Sequence, residues 1–345
     1  MGRPRDPGRP AGVLPDPVQR VDRRGLRLSA PSPTVSSPTT TVVVPTHRHH
    51  ETLAFAVRSI LGQTVADLGV VIIGDGVTDA VRSEAHRLCA LDARVTFEDH
   101  PKSPRRGELH RDRLIRASTS EYVAYCCDDD LWFPDHLETM LEGIRGHDFI
   151  HPLPVLIASD GMPFFMPSDL RRPESVRWHL SDDSRNTISL TGVVHTRDAY
   201  LRLPHGWRET PEGRWTDHYM WQQFFEQDWF AGVTSSRATT LKLMAEVRDD
   251  LPTGARRAEI EQWWDRLGDP SFPATWEAMV RAALWTSAVS HNVVATIWED
   301  EITALRRQLA CERAAVRGSR SWRVTAPLRA IGRVGRSAAA TLQRR

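Results

Sequence analysis

From residue 39 to residue 157, apolar runs of strand length alternate with segments whose apolar positions recur at helical spacing. The β-branched "TTTVVVPT" opens the series as a strand expected to stop at Pro45. "ETLAFAVRSILGQT" follows, with Leu53, Ala56, Val57, Ile60 and Leu61 on one helical face. "LGVVIIGDG" reads as a strand, "DAVRSEAHRLCAL" as a helix and "RVTFEDH" as a strand. "GELHRDRLIRAS" is again helical, "EYVAYCC" a strand, and "PDHLETMLEGI" a helix with Pro134 in its first turn. "HDFIHPLPVLI" closes the series as a strand. Such alternation predicts βαβ units, hence an α/β fold with a mostly parallel sheet flanked by helices.

Beyond residue 150 the pattern changes. Short β-like pieces ("GMPFFMP", "TISLTGVVHT", "AGVTSSRATTLKL") surround "GRWTDHYMWQQFFEQ", an aromatic-rich helix opened by Thr216. The expected organisation is therefore a domain over 39–250, with a first half at 39–150 and a mixed half at 151–250. A C-terminal helical extension over 251–317 follows, with Trp263, Trp264, Trp276, Trp285 and Trp298 as bulky anchors. Residues 1–38 hold eight prolines and no apolar period, which predicts a disordered leader. Residues 318–345 form a basic tail, weakly amphipathic or disordered.

Composition narrows the function classes. A net charge of +1 excludes a molecule that binds nucleic acid through its overall field. Positive charge is almost all arginine, since only Lys102 and Lys242 are lysines. The four cysteines show no CxxC pair, and adjacent Cys126 and Cys127 would point to opposite faces of a strand, as small apolar residues in a reducing cytosol. No apolar run reaches the roughly 18 residues that a spanning helix needs, and the N-terminus has no apolar signal segment. A cytoplasmic location follows as the expectation, with peripheral contact at the inner face of the plasma membrane as an option.

The chemistry concentrates at strand ends. "EYVAYCCDDDLW" runs from an apolar strand straight into Asp128, Asp129 and Asp130. Adjacent carboxylates raise one another's pKa unless a cation or donors neutralise them. A helix cap with solvated turn acids is the plain alternative. However, Thr46, Asp75 and the triplet all fall at the carboxyl ends of strands, where open α/β sheets bind ligands. "HRHH" (His47 to His50) invites a metal reading, but four neighbours cannot all face one ion, and no partner shows ligand spacing.

Four blocks in order, "TVVVPTHRHHETLAFAVRSILGQT", "VVIIGDGVTD", "RASTSEYVAYCCDDDLWFPDHL" and "WTDHYMWQQF", resemble the signatures of family 2-type, nucleotide-sugar-dependent glycosyltransferases of GT-A fold. The resemblance covers roughly residues 40–245. It implies that Asp75 accepts a hydrogen bond from the nucleotide base, as a carboxylate does from the imide of uracil or thymine. It implies Asp128 on the ribose, Asp129 on a divalent ion, and Asp130 supporting or sharing that role. Carboxylate oxygens of this kind suit Mg²⁺ or Mn²⁺. Asp217, near the start of its helix, matches the general base that takes the acceptor proton; an acid favoured by the helix dipole is the plain alternative. Thr46 and His47 would line the nucleotide pocket, and Arg111 could reach phosphate. Gly74 and Cys127 depart from the family, standing where relatives carry acids, and Asp112 stands where they often carry Asn.

The activity so implied is metal-dependent, inverting transfer from a UDP- or dTDP-sugar to a glycan or lipid-linked saccharide of the cell surface. A catalytically silent nucleotide-sugar-binding or scaffold protein is the alternative, supported by Gly74 and Cys127. A nucleotidyltransferase shares strand-end acids but leaves Asp217 unexplained. The tail phrase "SRSWRVTAPLR" resembles a segment often appended to bacterial glycosyltransferases, and nine arginines without an acid over 313–345 suit contact with anionic lipid.

Overall fold

A computed structural model describes residues 37–244, 247–248 and 251–318. All but the end of the expected leader, and all but the first residue of the basic tail, lie outside these residues. The first half alternates as expected: β1 (Thr40–Thr46), α1 (His50–Leu61), β2 (Leu68–Asp75), α2 (Asp79–Leu91), β3 (Val95–His100), α3 (Glu108–Ala117) and β4 (Tyr122–Tyr125). Next come β5 (Leu131–Trp132), α4 (His136–Gly143), β6 (Phe149–His151), β7 (Val155–Ile157), β8 (Pro163–Phe165) and α5 (Pro173–Leu180). The series continues with β9 (Val194–Thr196), α6 (Arg197–Leu201), α7 (Thr216–Phe225), β10 (Gly232–Thr234) and β11 (Thr240–Leu243). Two helices, α8 (Thr253–Leu267) and α9 (Phe272–Gly318), form the C-terminal extension.

Seven strands make the main sheet in the order β10-β6-β9-β4-β1-β2-β3, and only β9 runs against its neighbours. Both faces are covered, so β1 is buried at every position but Pro45, with Val42, Val43 and Val44 at its centre. Val42 and Val44 face the α1 and α2 side, whereas Val43 faces an aromatic wall of Tyr125, Trp207, Trp221 and Phe224. Cys126 and Cys127 divide between the same two cores, as the strand period requires. A second sheet, β5-β11-β7-β8, packs through Leu131, Leu241 and Phe133 onto Ile260, Trp263 and Trp276 of the extension.

Several expectations need correction. β1 does not stop at Pro45: it runs to Thr46, with Pro45 opposite Ile73 of β2, beyond the last β4 pair at Val43↔Tyr125. "HDFIHPLPVLI" is two strands in two sheets, separated where Pro152 and Pro154 deprive the chain of ladder donors. Thr216 does open α7, but the cap before it, Trp215, makes no side-chain bond. Trp263 and Trp276 are buried anchors, but Trp285 and Trp298 are 72% and 60% exposed, because α9 has left the body of the molecule by then.

Candidate active site

Parallel register assembles the site. Thr46 lies opposite Gly74 and Val43 opposite Tyr125, so the chain leaves β1, β2 and β4 along a single edge. Thr46 Oγ1 donates to Asp128 Oδ2 at 2.6 Å, and His49 Nδ1 lies 3.1 Å from Asp128 Oδ1. His49 has its pKa raised, chiefly by that bond, against the opposing effect of burial. Its Nε2 meets Arg256 Nη1 of α8 at 3.0 Å, and Arg256 Nη2 holds Asp129 Oδ2 at 2.5 Å. Thr46, Asp128, His49, Arg256 and Asp129 thus form one continuous polar chain.

Asp130 sits differently. It is fully buried, its Oδ1 accepts the Leu243 amide at 3.0 Å, and its Oδ2 takes the Thr191 hydroxyl and Lys242 Nζ, the latter at 3.1 Å. Burial pushes its carboxyl up to about 6, with Lys242 opposing. The same Thr191 hydroxyl accepts the Cys127 amide at 3.0 Å, which ties the strand end to the triplet.

Asp217 approaches from the other half of the domain, in the first turn of α7. Asn186 Nδ2 at 3.0 Å and the His218 amide at 2.8 Å both donate to its Oδ1, fixing the carboxylate. Crowding raises its pKa, the His218 amide and the charges of Lys242 and Arg106 opposing, yet the residue keeps part of its surface open. Lys242 therefore faces both Asp130 and Asp217. Arg111, expected to reach phosphate from a helix face, is buried instead: its guanidinium lies 4.2 Å from the Trp207 ring centre and donates to the Arg106 carbonyl. Asp217 and Glu108 are among the charges that hold it there. Its Nε has no hydrogen-bond partner among the described residues.

Asp75 stands one strand over, at the end of β2. It accepts Lys102 Nζ at 2.5 Å and the Ser103 amide at 2.6 Å. Burial alone would raise its pKa, but these donors outweigh it and the net shift is downward. The glycine before it has a steric reason: a Cβ on Gly74 would lie 2.9 Å from both Phe97 Cε2 and Val77 Cγ1. The second acid that the resemblance leads one to expect has no room there.

His49, Asp128 and Asp129 each offer a ligand atom within 4.8 Å of the others, and so do Cys127, Asp129 and Asp130. The first trio is the better donor set for a divalent ion. Asp130 is wholly enclosed with Lys242 against it, and burial raises the Cys127 thiol. A guanidinium on Asp129 shows that this carboxylate is placed to hold positive charge. Sequence reasoning set His49 aside with the rest of "HRHH", whereas that ring lies within reach of Asp128 and Asp129, and it missed Lys102, Lys242 and Arg256. The signal for two of them was the rarity of lysine: both lysines of the chain lie on strand-end acids.

Acids thus stand at the carboxyl edge of a mostly parallel sheet, and a further acid, Asp217, stands in the first turn of a later helix. Residues 41–204 match the model of glycosyl transferase family 2. TuaG of Bacillus subtilis strain 168, named a putative teichuronic acid biosynthesis glycosyltransferase, is 27% identical over 156 residues, covering 44% of this chain and 59% of TuaG. An uncharacterized glycosyltransferase of Rickettsia bellii is 29% identical over 109 residues, covering 32% of this chain. The match spans 15% of that protein's length and 18% of its Rickettsia conorii counterpart. Among solved structures, Staphylococcus aureus TarS 1–349 with UDP-GlcNAc has a TM-score of 0.46 at 14% identity, covering 66% of this chain and 72% of TarS 1–349.

Proposed function

We infer that this protein is a metal-dependent, inverting glycosyltransferase that moves a sugar from a UDP- or dTDP-sugar to a hydroxyl of an envelope glycan or lipid-linked saccharide. The observation that carries this reading is Asp217. A protein that only binds nucleotide sugars needs no fixed, partly open carboxylate sharing Lys242 with the strand-end Asp130. TuaG, by its name, supports a cell-envelope polysaccharide as the acceptor class.

In this reading the nucleotide base lies toward Asp75, where Lys102 would yield part of the carboxylate to the imide. Asp128, held by Thr46, meets the ribose. Asp129, with Asp128 and His49 beside it, would hold Mg²⁺ or Mn²⁺, which would supply positive charge against the departing diphosphate. Asp130 supports the edge through Lys242 and Thr191 rather than meeting the ion. Asp217 Oδ2 takes the acceptor proton as that oxygen bonds to the anomeric carbon; the carbon–phosphate oxygen bond breaks on the opposite face, and the nucleoside diphosphate leaves with the electron pair.

A donor screen with Mn²⁺ or Mg²⁺, reading nucleoside diphosphate release, tests this. Asp129→Asn should lose metal-dependent donor binding. Asp217→Asn should keep donor binding and lose about 10²–10⁴-fold in transfer, the range for a positioned base. Equal transfer by wild type and Asp217→Asn would refute the assignment.

A further inference from the structure

Arg256 is the one charged contact that the C-terminal extension makes with the strand-end acids among the described residues. We propose that Arg256 is a resident counter-ion on Asp129, which a divalent ion and a nucleoside diphosphate displace together. Cation binding and nucleotide binding are thereby coupled through one side chain of α8. This rests on the metal-dependent reading above and adds to it a residue that lies outside residues 41–204.

The geometry is specific. The Arg256 and Asp129 side chains are 12% and 10% exposed, and the second arm of the guanidinium rests on His49. Arg256 therefore touches two of the three groups that offer ligand atoms for an ion. Its backbone is firmly placed. Ile260 and Trp263 of α8 are buried in the core shared with the small sheet. Trp264 meets Phe55 of α1 edge-on, and Glu259 pairs with the buried Arg248 at 2.5 Å.

Arginine keeps its charge at any working pH, so it cannot vacate Asp129 by losing a proton. A divalent ion arriving alone must take the carboxylate from it and leave a largely buried guanidinium without its counter-charge, which is unfavourable. A diphosphate arriving alone meets Asp128 and Asp129 with no added positive charge. When both arrive, the ion takes the carboxylate and the guanidinium turns to phosphate oxygen, whose geometry its planar fork matches. Each ligand then strengthens the other, by the same factor in both directions.

Mn²⁺ titration of the full chain, followed by electron paramagnetic resonance with and without UDP, dTDP or GDP, tests the coupling. For wild type, nucleotide should tighten Mn²⁺ binding about 5- to 150-fold, the ordinary range of coupled sites. Arg256→Met should bind Mn²⁺ alone at least about fivefold more tightly, with the enhancement by nucleotide reduced toward one. Arg256→Lys, which keeps the charge, should still hold off Mn²⁺ alone. Thermal melts confirm that each variant folds; if Arg256→Met does not, an Arg256→Lys protein that binds Mn²⁺ alone at least about fivefold more tightly than wild type overturns the proposal. So does an Arg256→Met protein whose Mn²⁺ affinity and nucleotide enhancement equal those of wild type, even if wild type binds Mn²⁺ with nucleotide normally. Absence of Mn²⁺ binding in every combination defeats the metal-dependent reading itself.

Discussion

Asp128, Asp129 and Asp130 share one side chain and differ in what surrounds it. Asp130 is enclosed with Lys242, Thr191 and the Leu243 amide, whereas Asp128 and Asp129 keep a small opening and lean on His49 and Arg256. Removing one partner of an enclosed ion pair leaves the other charge stranded, so Asp130→Asn should destabilise the fold by about 3–5 kcal/mol in urea unfolding. Loss of that size only in Asp129→Asn would reverse the roles assigned to the two residues. Asp217 carries a second expectation. Its raised pKa places the acid limb of transfer activity above the ordinary carboxylate value of 3.8: the base is lost as pH falls through that raised pKa. A pH–rate profile of kcat/KM measures it, and a limb at or below 3.8 would contradict the crowding seen around the carboxylate. Motif spacing could point to Asp75, Asp128, Asp129 and Asp217, since each ends a strand or opens a helix. Their cations were not legible in that way. Lys102 is 27 residues from Asp75 and Arg256 is 127 from Asp129, and no local period reports such distant pairs.

At the scale of elements, legibility followed burial. β1, β2, α1 and α2 are covered on their inward faces, so their apolar periods were strong and their limits came out within a residue or two, or a few at the end of α1. The second half was harder because its strands are three or four residues long and lie in two sheets. Of "TISLTGVVHT" only Val194–Thr196 is a strand, and the preceding residues form the turn that brings Thr191 to Asp130. The end of β2 offers a direct test of how tightly an element positions the site. Gly74→Ala would put its Cβ 2.9 Å from Phe97 and Val77, so β2 or β3 must shift. Overpacking of this kind costs about 1–3 kcal/mol. The shift would also move Asp75, one residue on, away from the Ser103 amide. The variant should therefore lose stability in a thermal melt and bind nucleotide more weakly; unchanged values for both would mean that the sheet end is looser than its contacts indicate.

The whole molecule should be sensitive to mild acid, and the cause is histidine rather than the acids of the site. Burial lowers His136 and His151 to about 3, and His179 and His195 to about 4. Each is packed as a neutral ring: His136 against Thr239 Oγ1 at 2.7 Å, His151 against Thr234 Oγ1 at 2.7 Å, and His195 against Tyr125 Oη at 2.8 Å. An unfolded histidine binds its proton near pH 6.5, so below that value the unfolded chain holds protons that the folded chain refuses. Stability then rises with pH across this window and falls as the medium is acidified. At pH 5 each such ring costs up to about 2 kcal/mol, being about 1.5 pH units at about 1.4 kcal/mol per unit. Three groups act the other way. Asp130, raised to about 6, His49, raised by Asp128, and Asp217, whose carboxyl burial raises, all bind protons more readily in the folded state and recover stability on acidification. His110 and His218 are lowered by burial too, so six rings against three groups leave a net loss, which runs from about pH 6.5 down to about 4. Carboxylates with lowered pKa values, Asp75 and Asp92 among them, add their own loss only below 3.8. Urea unfolding at pH 7, 6 and 5 should show the midpoint falling at each step, and a midpoint that stays level or rises would mean that these rings take up protons inside the fold.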